Sequence, residues 1–179
     1  MTWADRGQRA TLMTLAELNR LDQAGFVGAL EGIYEHSPWV PERAWSRRPF
    51  ASVAELHAAM AEVVASAGEE RQLALIRAHP ELAGKAMVQR ALTADSTVEQ
   101  SGAGLTQCSP DEFAQLQDLN ARYNTKFGFP FILAVKGYDR RGVIAELARR
   151  VDNEREIEFA ECLRQIDTIA LLRLATQIT

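Results

Sequence analysis

The fold is decided by residues 109–135, which read SPDEFAQLQDLNARYNTKFGFPFILAV. The opening residues 109–112 (Ser-Pro-Asp-Glu) predict a helix start, because serine caps the free backbone N–H groups and proline suits the first helical position. The helix is predicted to end just before Gly128, since glycine is the residue that most often terminates a helix. The apolar, proline-bearing residues 129–135 then predict a buried extended segment.

Helical periodicity continues on both sides of this stretch, and no alternating strand pattern stands out. The pair His79-Pro80 ends one helix, because proline disfavours helical backbone in the residue before it. Small and polar side chains dominate residues 93–110, which predicts an irregular loop. The other predicted helices cover two short pieces within 14–35, then 53–67, 69–78, 81–92, 140–151 and 155–177. The sequence therefore predicts an all-α fold, a single helical bundle of seven or eight helices. Residues 1–179 form one domain in this prediction, with residues 1–13 as a loosely ordered N-terminal segment.

The composition is that of a water-soluble globular protein. The chain has 179 residues, 47% of them hydrophobic, and a formal net charge of −4. A mildly acidic protein is a poor partner for nucleic acid, whose binding depends on neutralising phosphates. No apolar run approaches the length of a membrane span, and the N-terminus lacks the pattern of a secretion signal. We therefore expect a cytoplasmic protein with no nucleic-acid or membrane partner, in which Cys108 and Cys162 are reduced thiols.

Three side chains are candidates for chemistry by their positions. His79 lies at the C-terminal end of a helix, where the helix dipole favours a protonated ring, and it could act as an acid or a base or simply cap the helix. Glu99 falls in the predicted loop, where a carboxylate is usually solvated. Arg173 shares a face with apolar residues of the last helix, so its guanidinium requires a carboxylate or an anionic ligand. A structural ion pair, a side chain reaching solvent and an anion site all remain open for Arg173.

The sequence does not predict a metal or nucleotide site. The histidines His36, His57 and His79 have no ligand spacing in common, and neither an H-E-x-x-H nor a C-x-x-C motif is present. The glycines at 102–104 form a lone G-x-G that follows no predicted strand. His36 is best explained as a residue at a helix end, and His57 as a half-buried or surface residue.

Five short motifs occur in order along the chain. They are YEHSPWV at 34–40, HPELAGK at 79–85, S-x-x-E-Q-x-x-A-G-L at 96–105, N-x-x-Y-x-x-K-F-G-F-P-F at 120–131 and I-A-x-x-R-L at 169–174. Together they resemble the OHCU decarboxylases, which act on 2-oxo-4-hydroxy-4-carboxy-5-ureidoimidazoline (OHCU) in urate breakdown. The resemblance covers residues 14–175. Gln165 and Thr168 stand where a glutamate and a lysine are expected, which we interpret as surface variation.

The resemblance implies an all-α, cofactor-independent carboxy-lyase with a small-molecule substrate, usually a homodimer, whose product is (S)-allantoin. It implies that His79 is the catalytic histidine, and we hypothesise that Glu99 is its acid–base partner. Backbone groups of residues 131–135 are expected to bind the amides of the substrate. The implied substrate-binding residues are Pro80, Ser96, Thr97, Val98, Glu99, Gln100, Phe131, Ile132, Leu133, Ala134, Val135 and Arg173.

Two other functions remain open. A non-catalytic helical binding or scaffold protein would also have a helical bundle with an acidic surface, and in it His79 and Glu99 would be structural. A metal-dependent amidohydrolase is disfavoured by the missing ligand spacings, and insensitivity to chelators would distinguish it.

Overall fold

The computed structural model describes residues 12–84 and 92–179, and its regular structure is helical, with a single isolated β-bridge. The all-α prediction is confirmed. Nine α-helices occur in the described residues, two of them only six residues long. They are α1 (Leu15–Arg20), α2 (Gln23–Ala29), α3 (Trp39–Ala44), α4 (Val53–Ala65), α5 (Glu69–Ala78), α6 (Ala94–Gly102), α7 (Pro110–Phe127), α8 (Arg140–Arg150) and α9 (Arg155–Gln177), with 3₁₀ turns at Trp45–Arg47 and Leu105–Gln107. Within the described part of the chain, no helix is both long and apolar enough to cross a bilayer.

Helix α7 begins and ends where the sequence predicts. Ser109 and Glu112 form a reciprocal capping box at its start, with Pro110 in the first turn. Gly128 ends the helix in the left-handed conformation at a φ of 75°, which costs glycine little because it has no Cβ. The residues that follow, 129–135, are mostly buried, as predicted, and residues 130–135 belong to no helix or strand. We refer to residues 129–135 as the extended segment.

Two helices form where the sequence analysis predicts none. Residues 94–102 were expected in a loop, but they fold as α6, because Thr93 caps its N-terminus and Ser96 and Gln100 lie on a buried face. Small polar residues here indicate a helix that binds polar groups in the interior. Helix α3 begins directly after Pro38, in a stretch that is not among the predicted helices. The predicted helix over 81–92 lies largely outside the described residues, and residues 82–84 form a turn.

The two ends of the described chain are joined. Met13 donates its N–H to the carbonyl of Gln177 at 3.1 Å, and Thr179 donates to the carbonyl of Met13 at 2.9 Å. Met13 is therefore hydrogen-bonded through both of its backbone groups, and the loose order of the N-terminal segment stays a prediction. Residues 1–11 lie outside the described part of the chain.

The long helix α9 packs against α4 and α5, and α7 packs against α8. An aromatic cluster fills the space next to α7, with ring centroids between 4.6 and 6.2 Å apart. Its members are Tyr123, Phe127, Phe129, Phe131 and Phe159. The cluster fixes the extended segment 129–135 against the inner face of the bundle.

A buried ion pair supports the same segment from behind. The side chains of Arg150 and Glu158 are fully buried and bonded to each other, with the Arg150 Nε at 2.8 Å from the carboxylate. The Nη1 of Arg150 also donates to the carbonyl of Ile132 at 2.7 Å, and its guanidinium lies 4.5 Å from the centroid of the Phe131 ring. The position of the extended segment therefore depends on a charge pair from α8 and α9.

Candidate active site

Four parts of the fold surround a small cavity of about 30 Å³. They are the C-terminal end of α5, the inner face of α6, the extended segment and the C-terminal half of α9. The lining residues are His79, Pro80, Leu82, Ser96, Glu99, Gln100, Phe131, Ile132, Leu133, Val135, Ile169 and Arg173. A wider cleft of about 380 Å³ adjoins it and shares Glu99, Val135, Ile169 and Arg173. The two spaces together form a half-enclosed site that is large enough for a small molecule.

His79 is held as a neutral hydrogen-bond acceptor. Its ring is buried, and its Nδ1 lies 2.9 Å from the carbonyl of Leu75, so Nδ1 carries the proton and donates it. That tautomer leaves a lone pair on Nε2, which has no hydrogen-bond partner among the described residues. Burial lowers the pKa of His79 to about 4, although the charge of Glu35 acts in the opposite direction. The helix dipole favours a protonated ring, but desolvation by burial outweighs it.

This buried imidazole predicts a pH dependence of stability. The folded-state pKa of His79, about 4, lies below the ordinary value of about 6.5, so between these values only the unfolded chain binds the proton. His79 therefore contributes stability that is present above pH 6.5 and is lost as the pH falls towards 4, about 3 kcal/mol in all. Denaturant unfolding of the wild type and His79→Asn at pH 7 and pH 4.5 checks this. We expect a smaller loss in the variant, and equal losses would contradict the prediction.

The turn after His79 is fixed by side chains from α6 and α7. Gln100 accepts the N–H of Ala83 at 2.9 Å, and Asn120 donates to the carbonyl of Leu82 at 2.9 Å. Ala83 has a φ of 52°, a conformation that is strained for alanine and persists only where neighbouring groups hold it. A Cβ on Gly84 would lie 2.6 Å from the Cβ of Glu81, so only glycine fits there. These contacts give a physical reason for the HPELAG motif, which places His79 and Pro80 at the cavity.

Arg173 is part of an ion pair with Glu99. Its Nε donates to the Glu99 carboxylate at 2.7 Å and its Nη2 at 2.9 Å, so the pair is bidentate. The Arg173 side chain is 4% exposed and that of Glu99 is 31% exposed. Of the alternatives open for Arg173, the ion pair is the one observed. Because His79 and Glu99 line the same cavity, the two predicted catalytic groups lie together.

Glu35 is a member of the site that the sequence analysis missed. Its side chain is 1% exposed, and its carboxylate accepts hydrogen bonds from Arg173 at 2.9 Å, Thr93 at 2.7 Å and Ser96 at 3.2 Å. Burial alone would raise the pKa of Glu35, but the bonds from Thr93 and Arg173 outweigh it and hold the pKa below its ordinary value. One feature of the sequence pointed to a second acidic residue, namely the charge of Arg173 on an apolar helix face. A single carboxylate can bind only some of the N–H donors of a guanidinium.

Comparisons with known proteins identify the family of this chain. Residues 19–175 match the family model described as OHCU decarboxylase. The chain belongs to the OHCU decarboxylase family. It is 45% identical over 167 residues to the 2-oxo-4-hydroxy-4-carboxy-5-ureidoimidazoline decarboxylase of Haloferax volcanii, covering 93% of this chain and 97% of the relative. The mouse protein of the same name is 38% identical, covering 90% and 91% of the two chains. A crystal structure of (S)-allantoin synthase matches with a TM-score of 0.76 and 30% identity, over 93% of this chain and 54% of that one.

Most residues that the OHCU decarboxylase resemblance implies line the cavity. Val98 and Ala134 line the wider cleft instead, and the Val98 side chain is 72% exposed. Thr97 lines neither space, because it faces away on α6 and donates its hydroxyl to the carbonyl of Thr93. Gln100 is at the cavity, but its amide is bonded to the turn at residues 81–83.

Three backbone groups expected to bind an OHCU-like substrate are already used inside the protein. The N–H of Ala134 donates to Gln165 at 2.9 Å. The carbonyl of Ile132 accepts from Arg150 at 2.7 Å, and that of Val135 accepts from the N–H of Tyr138 at 2.9 Å. Gln165 is therefore not simple surface variation within the family, because it fixes the extended segment. If backbone groups of residues 131–135 bind the substrate, they must therefore be the other N–H and C=O groups of this segment.

The remaining histidines lie outside the OHCU decarboxylase-like cavity. The ring of His57 contacts the carbonyl and carboxylate of Asp167, and the side chain of His36 is 70% exposed. Within residues 12–84 and 92–179, no cluster of three His, Cys, Asp or Glu side chains is placed to hold a metal ion.

Proposed function

We propose that this protein is a carboxy-lyase that converts OHCU to (S)-allantoin in urate degradation, with His79 and Glu99 as its acid–base pair. Membership of the OHCU decarboxylase family supports the reaction class. The assignment of residues depends on one observation. The neutral His79 is buried at the cavity, and its Nε2 has no hydrogen-bond partner among the described residues. Glu99, which is bound to Arg173, lines the same cavity.

The substrate itself can accept the electrons that decarboxylation releases. Its carboxylate is attached to a carbon next to a ring C=N bond, so the electron pair of the breaking C–C bond can move towards that nitrogen. Carbon dioxide leaves, and the nitrogen takes up the one proton that the overall reaction consumes. The hydroxyl group of the resulting enol then loses its proton as C=O forms, and the neighbouring carbon gains a proton. The protein must hold the carboxylate out of the plane of the conjugated system and direct that last proton to one face.

His79 is suited to take the hydroxyl proton. A neutral imidazole with a free Nε2 lone pair is a base, and its Nδ1–H bond to Leu75 fixes both tautomer and ring orientation. Once protonated, the ring is an imidazolium whose charge Glu35 stabilises. In this proposal Glu99, which lines the same cavity, adds to that stabilisation. In this proposal His79 then returns a proton to the ring carbon, so that one enantiomer forms.

Arg173 is a poor candidate for binding the substrate carboxylate that leaves as carbon dioxide. Its guanidinium is bound to Glu99, Glu35 and Ser96 and to the carbonyl of Gly32. A strong ion pair with the substrate carboxylate would stabilise the ground state more than the transition state, in which that charge disperses. We therefore assign Arg173 to the substrate site as the group that orients Glu99.

Replacing Glu99 by glutamine tests its half of the pair. The amide keeps the size of the side chain but removes the charge that stabilises the His79 imidazolium, so kcat should fall by about 10²-fold. Steady-state rates with OHCU measure the effect, and the surface exchange Glu156→Gln serves as the control. A kcat within twofold of wild type would remove Glu99 from the mechanism.

The enantiomer formed tests the function itself. OHCU is generated in situ from urate with the two preceding enzymes, this protein is added, and circular dichroism follows optically active allantoin. We expect rapid formation of (S)-allantoin. Slow formation of racemic allantoin at the spontaneous rate would contradict the proposal and favour a non-catalytic binding protein. The cytoplasmic location and the homodimer stay predictions from the sequence.

A further inference from the structure

We propose that Glu35 is a positioning residue that keeps Arg173 directed at Glu99 and prevents it from capturing the carboxylate of the substrate. This inference rests on the proposed function, because it concerns the same site. It assigns a role to the buried glutamate that the sequence analysis left without one.

The first observation is that every N–H group of Arg173 has a partner. Its Nε and one Nη2 hydrogen are bonded to Glu99, and the other Nη2 hydrogen points to the Ser96 hydroxyl at 3.4 Å. Its Nη1 donates to the carbonyl of Gly32 at 2.6 Å and to Glu35 at 2.9 Å. The guanidinium has five donors, and all five are engaged within the protein.

The second observation is that Glu35 is itself held in place. Thr93 and Ser96, at the start of α6, donate their hydroxyls to its two carboxylate oxygens at 2.7 and 3.2 Å. Ser96 therefore contacts both Glu35 and Arg173. Because Ser96 and Glu99 lie on the same helix, Glu35 links the position of α6 to the orientation of Arg173.

The third observation concerns charge. Glu35, Arg173 and Glu99 together carry −1 + 1 − 1 = −1, counted from their ion pairs. With Glu35 neutral, the sum becomes 0, and the Nη1 side of the guanidinium loses its charged partner. Arg173 keeps Glu99 as its counter-charge, but a carboxylate that reaches the cavity is then repelled less by these three side chains. The cavity wall would then bind a carboxylate ligand in its ground state, which slows loss of carbon dioxide.

The exchange Glu35→Gln tests this, because glutamine keeps an acceptor oxygen and the shape of the side chain while removing the charge. Two stable probes separate charge from fit: hydantoin-5-acetate, a cyclic ureide with a carboxylate, and hydantoin, the same ring without one. Isothermal titration measures the Kd of each with the whole protein. We expect hydantoin-5-acetate to bind about tenfold more tightly to the variant than to the wild type, and hydantoin to change by less than about twofold. With OHCU, kcat and KM should both fall, which is the pattern of a tightened ground state.

The control is Glu146→Gln, a carboxylate paired with the exposed Arg149 and distant from the cavity. It should leave the ratio of the two Kd values unchanged. If Glu35→Gln does not fold, Glu35→Asp is tested in its place, because the shorter side chain of aspartate moves the carboxylate away from Nη1 of Arg173. We expect this variant to bind hydantoin-5-acetate about threefold more tightly than the wild type and hydantoin equally. Equal changes for both probes, or no tightening of the carboxylate probe, would overturn the role of Glu35. If the wild type does not form (S)-allantoin, the proposed function is wrong instead. The ratio of the two Kd values is measured without turnover, so the two failures can be distinguished.

Discussion

Exchange of His79 for asparagine is expected to lower kcat by about 10²–10⁴-fold, the range typical of a lost general acid–base group. The amide of asparagine has no basic lone pair, so nothing at this place in the cavity accepts the hydroxyl proton. The allantoin that still forms should be racemic, because the ring carbon then takes its proton from water on either face. Circular dichroism together with total allantoin measures both effects.

The loss must be separated from unfolding. His79 is buried and bonded to Leu75, so about 1 kcal/mol of stability at pH 7 is expected to disappear with that hydrogen bond. A folded variant that keeps the wild-type rate and makes only (S)-allantoin would exclude His79 as the acid–base residue. Chemical denaturation at pH 7 establishes that the variant is folded.

The largest effect on stability is expected for Arg150→Met. It leaves the carboxylate of Glu158 fully buried without its cation, and breaking a buried pair from one side costs about 3–5 kcal/mol. Activity should fall as well, because Arg150 holds the carbonyl of Ile132 and lies against the Phe131 ring at the cavity. Urea unfolding measures the change in free energy.

The neighbouring residue offers a matched control. Arg149 also pairs with a glutamate, Glu146, but its side chain is 61% exposed. Arg149→Met should therefore cost about 0–1 kcal/mol, as is usual for a surface ion pair. A loss below about 1 kcal/mol for Arg150→Met as well would show that the buried pair is not what fixes the extended segment.

The helix ends that sequence predicts well are those decided by neighbouring residues. Ser109 with Glu112 and the single glycine at 128 determine where α7 begins and ends, and no distant contact is needed. Helix α6 was missed because its polar side chains are satisfied by groups far along the chain. Ser96, for example, donates to Glu35, which lies 61 residues away.

The same distinction applies to the site. The sequence analysis names His79, Glu99 and Arg173 as residues of the site, and all three line one cavity. Glu35 was missed because it is 138 residues from Arg173, and the periodicity of either segment carries no sign of that pairing. The protonation state of His79 could not be decided from the sequence for a related reason. The helix dipole is a local property, whereas burial depends on the whole fold.

The hydrogen bonds between Met13 and the C-terminal residues make the described backbone almost a closed ring. Residues paired in this way are about 5 Å apart, a gap that a few amino acids can bridge. A link from Thr179 to Met13, with new ends opened in a surface turn, should therefore not stretch the bundle, since circular permutation is tolerated where the joined residues are adjacent.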